Sequence, residues 1–449
     1  MEDKNSRPFD TDHIVRTYFR LALPVVLSSV VTILYNLADT YFIADTGDPI
    51  LVAGVSLCGP VFTVLMAFGN IFGQGGSSLI SRLIGADDHS AVRRVSSFCF
   101  WIAILTGVVI AVPMLLLKRP ILHLLGASPD TFVHSEQYYT ILAFGAPVII
   151  ANFIHLNLLR CEGMALQSMI GTLIGSVVNV ILDPIMITGL GWGAAGAAAA
   201  TVIGYVLSDL FLLAVVLRKS RYFSVRPQEA RVTGSQAGSI FSIGITAAIT
   251  NIASSVCNIL LNRQLVAYGD EKIAAMGIVM RVNMIALMML VGFSFGGVPL
   301  FGYLSGAGDK KKRNELLRFC LLFLAGLSLT LTAVLFICAP GLIRLFIQDE
   351  GIIADGTVML RYLTSGAVFA ALVMLLTCVF QASGKALPAL MLSLSRQGVI
   401  FAVVLLIAAK AAGYNGVIAS QLIADIVSAG FAIGLYFAFV KREKPEKTE

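Results

Sequence analysis

Charge is scarce in this sequence. Only 13% of its 449 residues are Asp, Glu, Lys or Arg, against about a quarter in an ordinary soluble chain. Apolar residues make up 57%, and the mean hydropathy is +0.86. This excess of apolar surface needs lipid as its solvent. Paired cysteines are also missing. The seven cysteines (Cys58, Cys99, Cys161, Cys257, Cys320, Cys338 and Cys378) are scattered through apolar segments without a CxxC. Neither a zinc site nor a disulfide framework is implied, and they read as small buried side chains. Residues Met1–His13 lack the basic start and cleavage site of a signal peptide. The first helix is therefore expected to stay in the mature chain. Despite a net charge of +6, no basic face with interleaved aromatics points to nucleic acid. Ser383-Gly-Lys385 is followed by Ala386 and lacks the rest of a P-loop, so no ATP-driven motor is visible. No nucleophile, metal motif or catalytic dyad has the context an enzyme needs. No cofactor is expected.

What the sequence does have is long apolar runs. A bilayer core of about 30 Å needs about 20 such residues per helix. Twelve spans fit, at 16–42, 51–80, 92–117, 137–160, 168–188, 194–217, 236–262, 273–303, 316–341, 358–382, 388–409 and 416–440. The glycine-rich stretches Gly69–Gly76 and Gly292–Gly297 mark breaks or close helix contacts. Basic residues fall in alternate connections: Arg82, Arg93 and Arg94; Arg218 to Arg231; Lys310 to Arg313; and the tail at Lys441, Arg442, Lys444 and Lys447. The connections at 45–50 and 188–193 hold no Lys or Arg. The positive-inside rule places the basic set and both termini in the cytoplasm of a multi-pass cell-membrane protein.

The two halves repeat. Phe72, Gly75, Gly76, Gly85, Ala86, Asp88, Phe98 and Cys99 recur as Phe293, Gly296, Gly297, Gly306, Ala307, Asp309, Phe319 and Cys320, always 221 positions on. Gly163 recurs as Gly384 at the same shift, and Gly193 and Gly196 recur as Gly413 and Gly416 after one deletion. Six spans per unit make this a parallel repeat with a pseudo-twofold axis along the membrane normal. The predicted fold is all-α, with twelve transmembrane helices in two six-helix bundles. Residues 1–217 form the first lobe, 218–235 a basic linker and 236–449 the second lobe. The repeat also explains Gly306-Ala-Gly-Asp309, whose GxGD form resembles intramembrane aspartyl proteases but precedes a run of lysines in a connection.

Ionisable residues inside membrane helices are costly and point to function. Asp39 follows Tyr35 and Asn36 on one helix face, and Asn179 and Asp183 share a face four residues apart. Asp39 and Asp183 lie in the outer part of outward-running spans. Thr201 lies about 10 Å below the outer end of the sixth span at 1.5 Å per residue. Asp39, Asn179, Asp183 and Thr201 are therefore expected to meet. Such hard oxygen donors suit Na⁺, and two neighbouring desolvated carboxyls also suit a proton. Asn179 and Asp183 correspond to Ile400 and Val404 in the second half, so the site belongs to one lobe. Asp209 and Asp425 are expected to pair with basic partners. Arg281 and Arg396 snorkel, pair with acids or meet an anionic substrate, and His155 reads as a helix-contact residue.

The sequence here resembles the MATE (multidrug and toxic compound extrusion) family, and more closely its DinF-like branch. The resemblance spans about 14–440. It rests on Pro24 with Leu34-Tyr-Asn-Leu-Ala-Asp39, on Leu159-Arg-Cys-Glu-Gly163, and on Asn179-Val-Ile-Leu-Asp183-Pro184 followed by Gly193 through Thr201. It implies export of drug-like organic cations driven by Na⁺ or H⁺ influx through alternating access. It assigns the coupling ion to Asp39, Asn179, Asp183 and Thr201, and implies a bend of the first helix near Pro24. The acids that the NorM-like branch carries in its seventh and tenth spans are absent. Met280, Met284 and Met288, at steps of four, are a candidate substrate wall of soft side chains. A monomer is expected, with membrane lipid and a small organic substrate as its partners. The alternative is a lipid or lipid-linked precursor flippase on a related scaffold.

Overall fold

In the computed structural model the described residues are 8–439. The basic tail residues Lys441, Arg442, Lys444 and Lys447 lie outside them. By internal contacts the chain falls into two units. The first runs through Ala248 and includes Gly306–Gly308. The second comprises 249–305 and 309–449.

The first unit holds α1 (Ile14–Asp45), α2 (Pro49–Ser56), α3 (Gly59–Gly85), α4 (His89–Leu116), the short α5 (Lys118–Leu124), α6 (Pro129–Cys161), α7 (Ala165–Pro184) and α8 (Gly193–Lys219). It also takes the start of α9 (Gly234–Val266). The division therefore falls inside α9 and not in the expected linker. The reason is close packing: an added Cβ on Gly244 would meet the Ile71 carbonyl oxygen at 2.1 Å. The second unit holds the rest of α9, then α10 (Asp270–Gly296), α11 (Val298–Gly306), α12 (Lys310–Arg344), α13 (Glu350–Ser365), α14 (Ala367–Ala382), α15 (Ala386–Gln397) and α16 (Val399–Phe439).

These helices make the twelve expected spans, several of them broken. The second span is α2 with α3, the eighth α10 with α11, and the tenth α13 with α14 across a 42° bend. The eleventh breaks at Gly398, between α15 and α16. A turn at Gly413, φ +57, divides α16 into the end of the eleventh span and the twelfth. Large apolar side chains such as Leu116, Phe144, Ile181 and Ile337 stand exposed on the helices. In water that surface would be a liability, but lipid covers it at no cost.

Both units turn at corresponding places. Asp88 caps α4 by accepting from the Ala91 N–H at 3.0 Å, and Asp309 caps α12 by accepting from the Lys312 N–H at 2.9 Å. Donors from Ala91 and Ser90 hold the Asp88 carboxyl below its usual range. The residue before each cap is left-handed, Asp87 at φ +61 and Gly308 at φ +70. The pairs Gly163/Gly384 and Gly193/Gly413 are left-handed too. The GxGD segment is thus a helix-capping turn.

The linker is tied to the first unit. Ser97 Oγ donates to the Arg226 carbonyl at 2.6 Å, and Trp101 Nε1 to that of Val225 at 2.9 Å. Glu162 accepts from Ser220 Oγ at 2.7 Å and the Tyr222 N–H at 2.9 Å. This gives the Leu159–Gly163 motif a structural task.

Helices approach through small residues, as expected where lipid removes most of the hydrophobic drive between them. Gly73 faces the Phe153 carbonyl oxygen of α6, which an added Cβ would meet at 2.6 Å. This stretch of α3 is a close contact and not a break. Gly204 of α8 faces the Gly175 carbonyl oxygen of α7, at 2.7 Å from an added Cβ. Gly434 faces open space. An alanine normally favours a helix over glycine by about 1 kcal/mol. Gly434→Ala is therefore expected to be neutral or mildly stabilising. Gly204→Ala should destabilise by about 1–3 kcal/mol through overpacking. Melting temperatures of the two purified variants check this, and equal shifts would refute it.

Candidate functional site

The site grows from three helices of the first unit. α7 supplies Asn179 and Asp183 one turn apart, and the Gly175–Gly204 contact brings α8 close enough for Thr201 to join them. The Asn179 amide donates to Asp183 Oδ1 and to Thr201 Oγ1, both at 3.3 Å. The Thr201 hydroxyl donates to the Ala197 carbonyl at 3.0 Å, so its oxygen stays available as an acceptor. Below Asp183 the helix changes form. Pro184 has no N–H to give to the preceding turn, and the chain closes with one π turn over Ile185–Gly189.

α1 brings Asp39 to this pair, with its carboxyl within hydrogen-bonding reach of Asp183. Asp183, Asn179 and Thr201 are buried, and Asp39 is half-buried. Three buried oxygens of this site have no donor among the described residues: Asp39 Oδ1, Asn179 Oδ1 and Asp183 Oδ2. Buried polar atoms are rarely left so, and each calls for an ion, a proton or a water. Two adjacent carboxylates cannot satisfy one another, because neither has a hydrogen to donate. A shared proton or a small hard cation satisfies both. The donor set of carboxylates, an amide oxygen and a hydroxyl suits Na⁺. The four predicted residues are thus brought together.

Other sequence-selected residues are placed differently. Tyr35 lies beside the site, with Tyr205 of α8 as a neighbour. Asn36 is exposed and outside the cluster. Pro24 lies inside α1, about 22 Å along the axis from Asp39 at 1.5 Å per residue. Among the described residues Asp209 pairs with no basic group. Its Oδ1 accepts from the Asn152 amide at 2.8 Å, and the same amide reaches Ser208 Oγ at 2.9 Å. An amide satisfies the acid by hydrogen bonding without bringing a second charge into the bundle. Asp425 does pair with a cation, Arg396, at 2.9 Å. His155 is buried with its ring 5.1 Å from that of Phe100. Met280 packs on the core of the second unit. Met284 is exposed and Met288 half-buried. Steps of four drift about 40° each on a 3.6-residue helix, which spreads the methionines over different surroundings.

Sequence reasoning missed Tyr205 and Asn152. A signal for the first was present: Thr201, Tyr205 and Asp209 are spaced by four, so they form one polar stripe on α8. Asn152 left none, because its partners come from a distant segment.

Comparison with known proteins agrees with this architecture. The MatE family model matches residues 24–185 and again 246–407, once in each half. The multidrug export protein MepA of Staphylococcus saprophyticus is 30% identical over 449 residues, spanning 100% of this chain and 99% of that protein. MepA of Staphylococcus aureus is 30% identical over 429 residues, covering 96% of this chain and 95% of its own. Among solved structures, an outward-facing multidrug resistance MATE family transporter of the MOP superfamily superposes with a TM-score of 0.88. It is 25% identical and covers 94% of this chain and 95% of its own. With a family match in each half and relatives that align along its whole length, the chain is a multi-pass membrane protein of the MatE family of transporters.

Proposed function

We propose that this protein exports drug-like organic compounds, cationic or amphipathic, by antiport against H⁺ or Na⁺. Both termini are cytoplasmic, and the coupling ion occupies Asp39, Asn179, Asp183 and Thr201. The observation that carries the reading is the trio of donorless buried oxygens on Asp39, Asn179 and Asp183. Similarity to multidrug export proteins supports the cargo class. The acids also favour a cation over the anionic headgroup that a lipid flippase would handle.

Coupling requires the ion to bind one access state better than the other. α1 is the helix suited to report occupancy. Asp39 reaches the ion from one end of it. Near the other end Pro24 removes the N–H that would bond the Arg20 carbonyl. Ser28 Oγ donates to the Pro24 carbonyl at 2.8 Å, which eases bending there. A bend of α1 near Pro24 is the motion through which occupancy alters access.

The test is efflux of a cationic dye from proteoliposomes with Na⁺ and H⁺ gradients imposed separately. One gradient should drive efflux, which identifies the ion. Asp39→Asn and Asp183→Asn should each cut the driven rate roughly ten-fold or more, within the reach of a coupling of about 1–3 kcal/mol. Full transport by either variant would remove the mechanism. Pro24→Ala restores a backbone hydrogen bond and stiffens α1. It should slow driven efflux several-fold while ion binding by the purified protein persists. Unchanged efflux would exclude the bend.

A further inference from the structure

We propose that the second unit contains a carboxylate-binding site built on Arg396, sized for a group like benzoate and distinct from the acids of the first unit. The second unit has a cavity of about 160 Å³. Its lining includes Arg396, Asp425, Asn258, Asn283, Gln421 and Phe401. Cavities of roughly 150 Å³ accept a benzene ring.

Two interrupted helices end at this cavity. α15 stops at Gln397, which puts Arg396 in its last turn, where free carbonyls and the negative end of the helix favour a cation. α13 passes to α14 through the 42° bend at Gly366. An added Cβ on Gly366 would lie 2.8 Å from Asp425 Oδ2. The carboxylate thus sits beside the amino end of α14, the positive end of that helix. Non-helical backbone at membrane depth is tolerated where it lines a cavity, and transporters place sites at such breaks.

The hydrogen bonding leaves a donor surface over. Arg396 is 9% exposed and Asp425 2%. Arg396 Nε donates to Asp425 Oδ1 at 2.9 Å, and Gln421 Nε2 donates to the same oxygen at 2.9 Å. Asp425 is therefore served by Arg396 Nε, Gln421 and the end of α14. A guanidinium carries five N–H donors. The four on the terminal nitrogens of Arg396 have no acceptor among the described residues. A planar carboxylate is the group that two parallel terminal N–H bonds fit best. The side amides of Asn258 and Asn283 add neutral donors, and Phe401 and Met280 supply apolar wall.

The repeat makes the contrast sharp. Arg396 stands where the first unit has Gly175, and Gly366 where it has Gly145. In the first unit Gly175 packs tightly on Gly204. The second unit places a cation at the position where the first closes two helices together.

The experiment uses the full-length protein purified in detergent, with fluorine NMR of para-fluorobenzoate as the probe. The benzoate line should broaden and be restored by unlabelled benzoate. Para-fluorobenzamide, of the same shape without the charge, should stay sharp. Arg396→Lys keeps a cation beside Asp425 but loses the fork, and should weaken binding roughly ten-fold. Ala286→Phe fills the cavity without touching the ion pair, and should abolish the broadening. If either variant fails to fold, the other carries the test. Asp39→Asn should leave benzoate binding intact, so failure of the antiport reading and failure of this one are separable. A xanthylium dye bearing a benzoic acid, set against its methyl ester, identifies the source. Competition by the acid dye alone marks the carboxylate of a larger compound, whereas competition by free benzoate only marks a small acid, and both support the site. Equal broadening of the amide, unaltered binding in both variants, or no broadening at about millimolar probe would overturn it.

Discussion

Two carboxyl groups face one another inside a bundle that lipid surrounds, and much of the first unit can be understood as accommodating them. Like charges out of water repel and lose their hydration, so they persist only where donors or a counter-ion meet them. The Asn179 amide supplies one such donor, and it reaches both Asp183 and Thr201 because glycine lets α7 and α8 touch. Tyr205 and Asp209 extend the polar stripe along α8, and Asp209 is satisfied by the neutral Asn152 amide of α6. Within this cluster the oxygens left unmet among the described residues are Asp39 Oδ1, Asn179 Oδ1 and Asp183 Oδ2.

The second unit uses the same helical plan for a different electrostatic problem. Ile400 and Val404 stand where the first unit has Asn179 and Asp183. Its own buried acid, Asp425, is answered directly by Arg396. One copy therefore keeps an incomplete oxygen cluster, and the other keeps an internal ion pair beside a cavity.

Much of this was legible in the sequence, for identifiable reasons. Twelve spans follow from hydropathy, since lipid forces every backbone group to bond within its own helix. Asp39, Asn179, Asp183 and Thr201 could be gathered by combining helical spacing with depth, because both are one-dimensional quantities. Breaks were harder. Gly398 interrupts an apolar run that hydropathy reads as continuous, and the interruption depends on neighbours, including the Cys257 thiol that meets its carbonyl at 3.5 Å. The basic partner expected for Asp209 proved to be Asn152, since sequence shows that an acid needs neutralising or bonding but not which of the two the fold provides. The boundary between units moved into α9 because glycine contacts, unlike linkers, leave no compositional shift.

The left-handed turns have a consequence for how the two copies age. Their positions are held by backbone chirality, which only a few residue types tolerate, while the interiors of the spans need little more than oiliness. Drift can thus rewrite the chemistry inside one copy and leave its corners fixed. A duplicated unit built in this way can change its role without forgetting its shape.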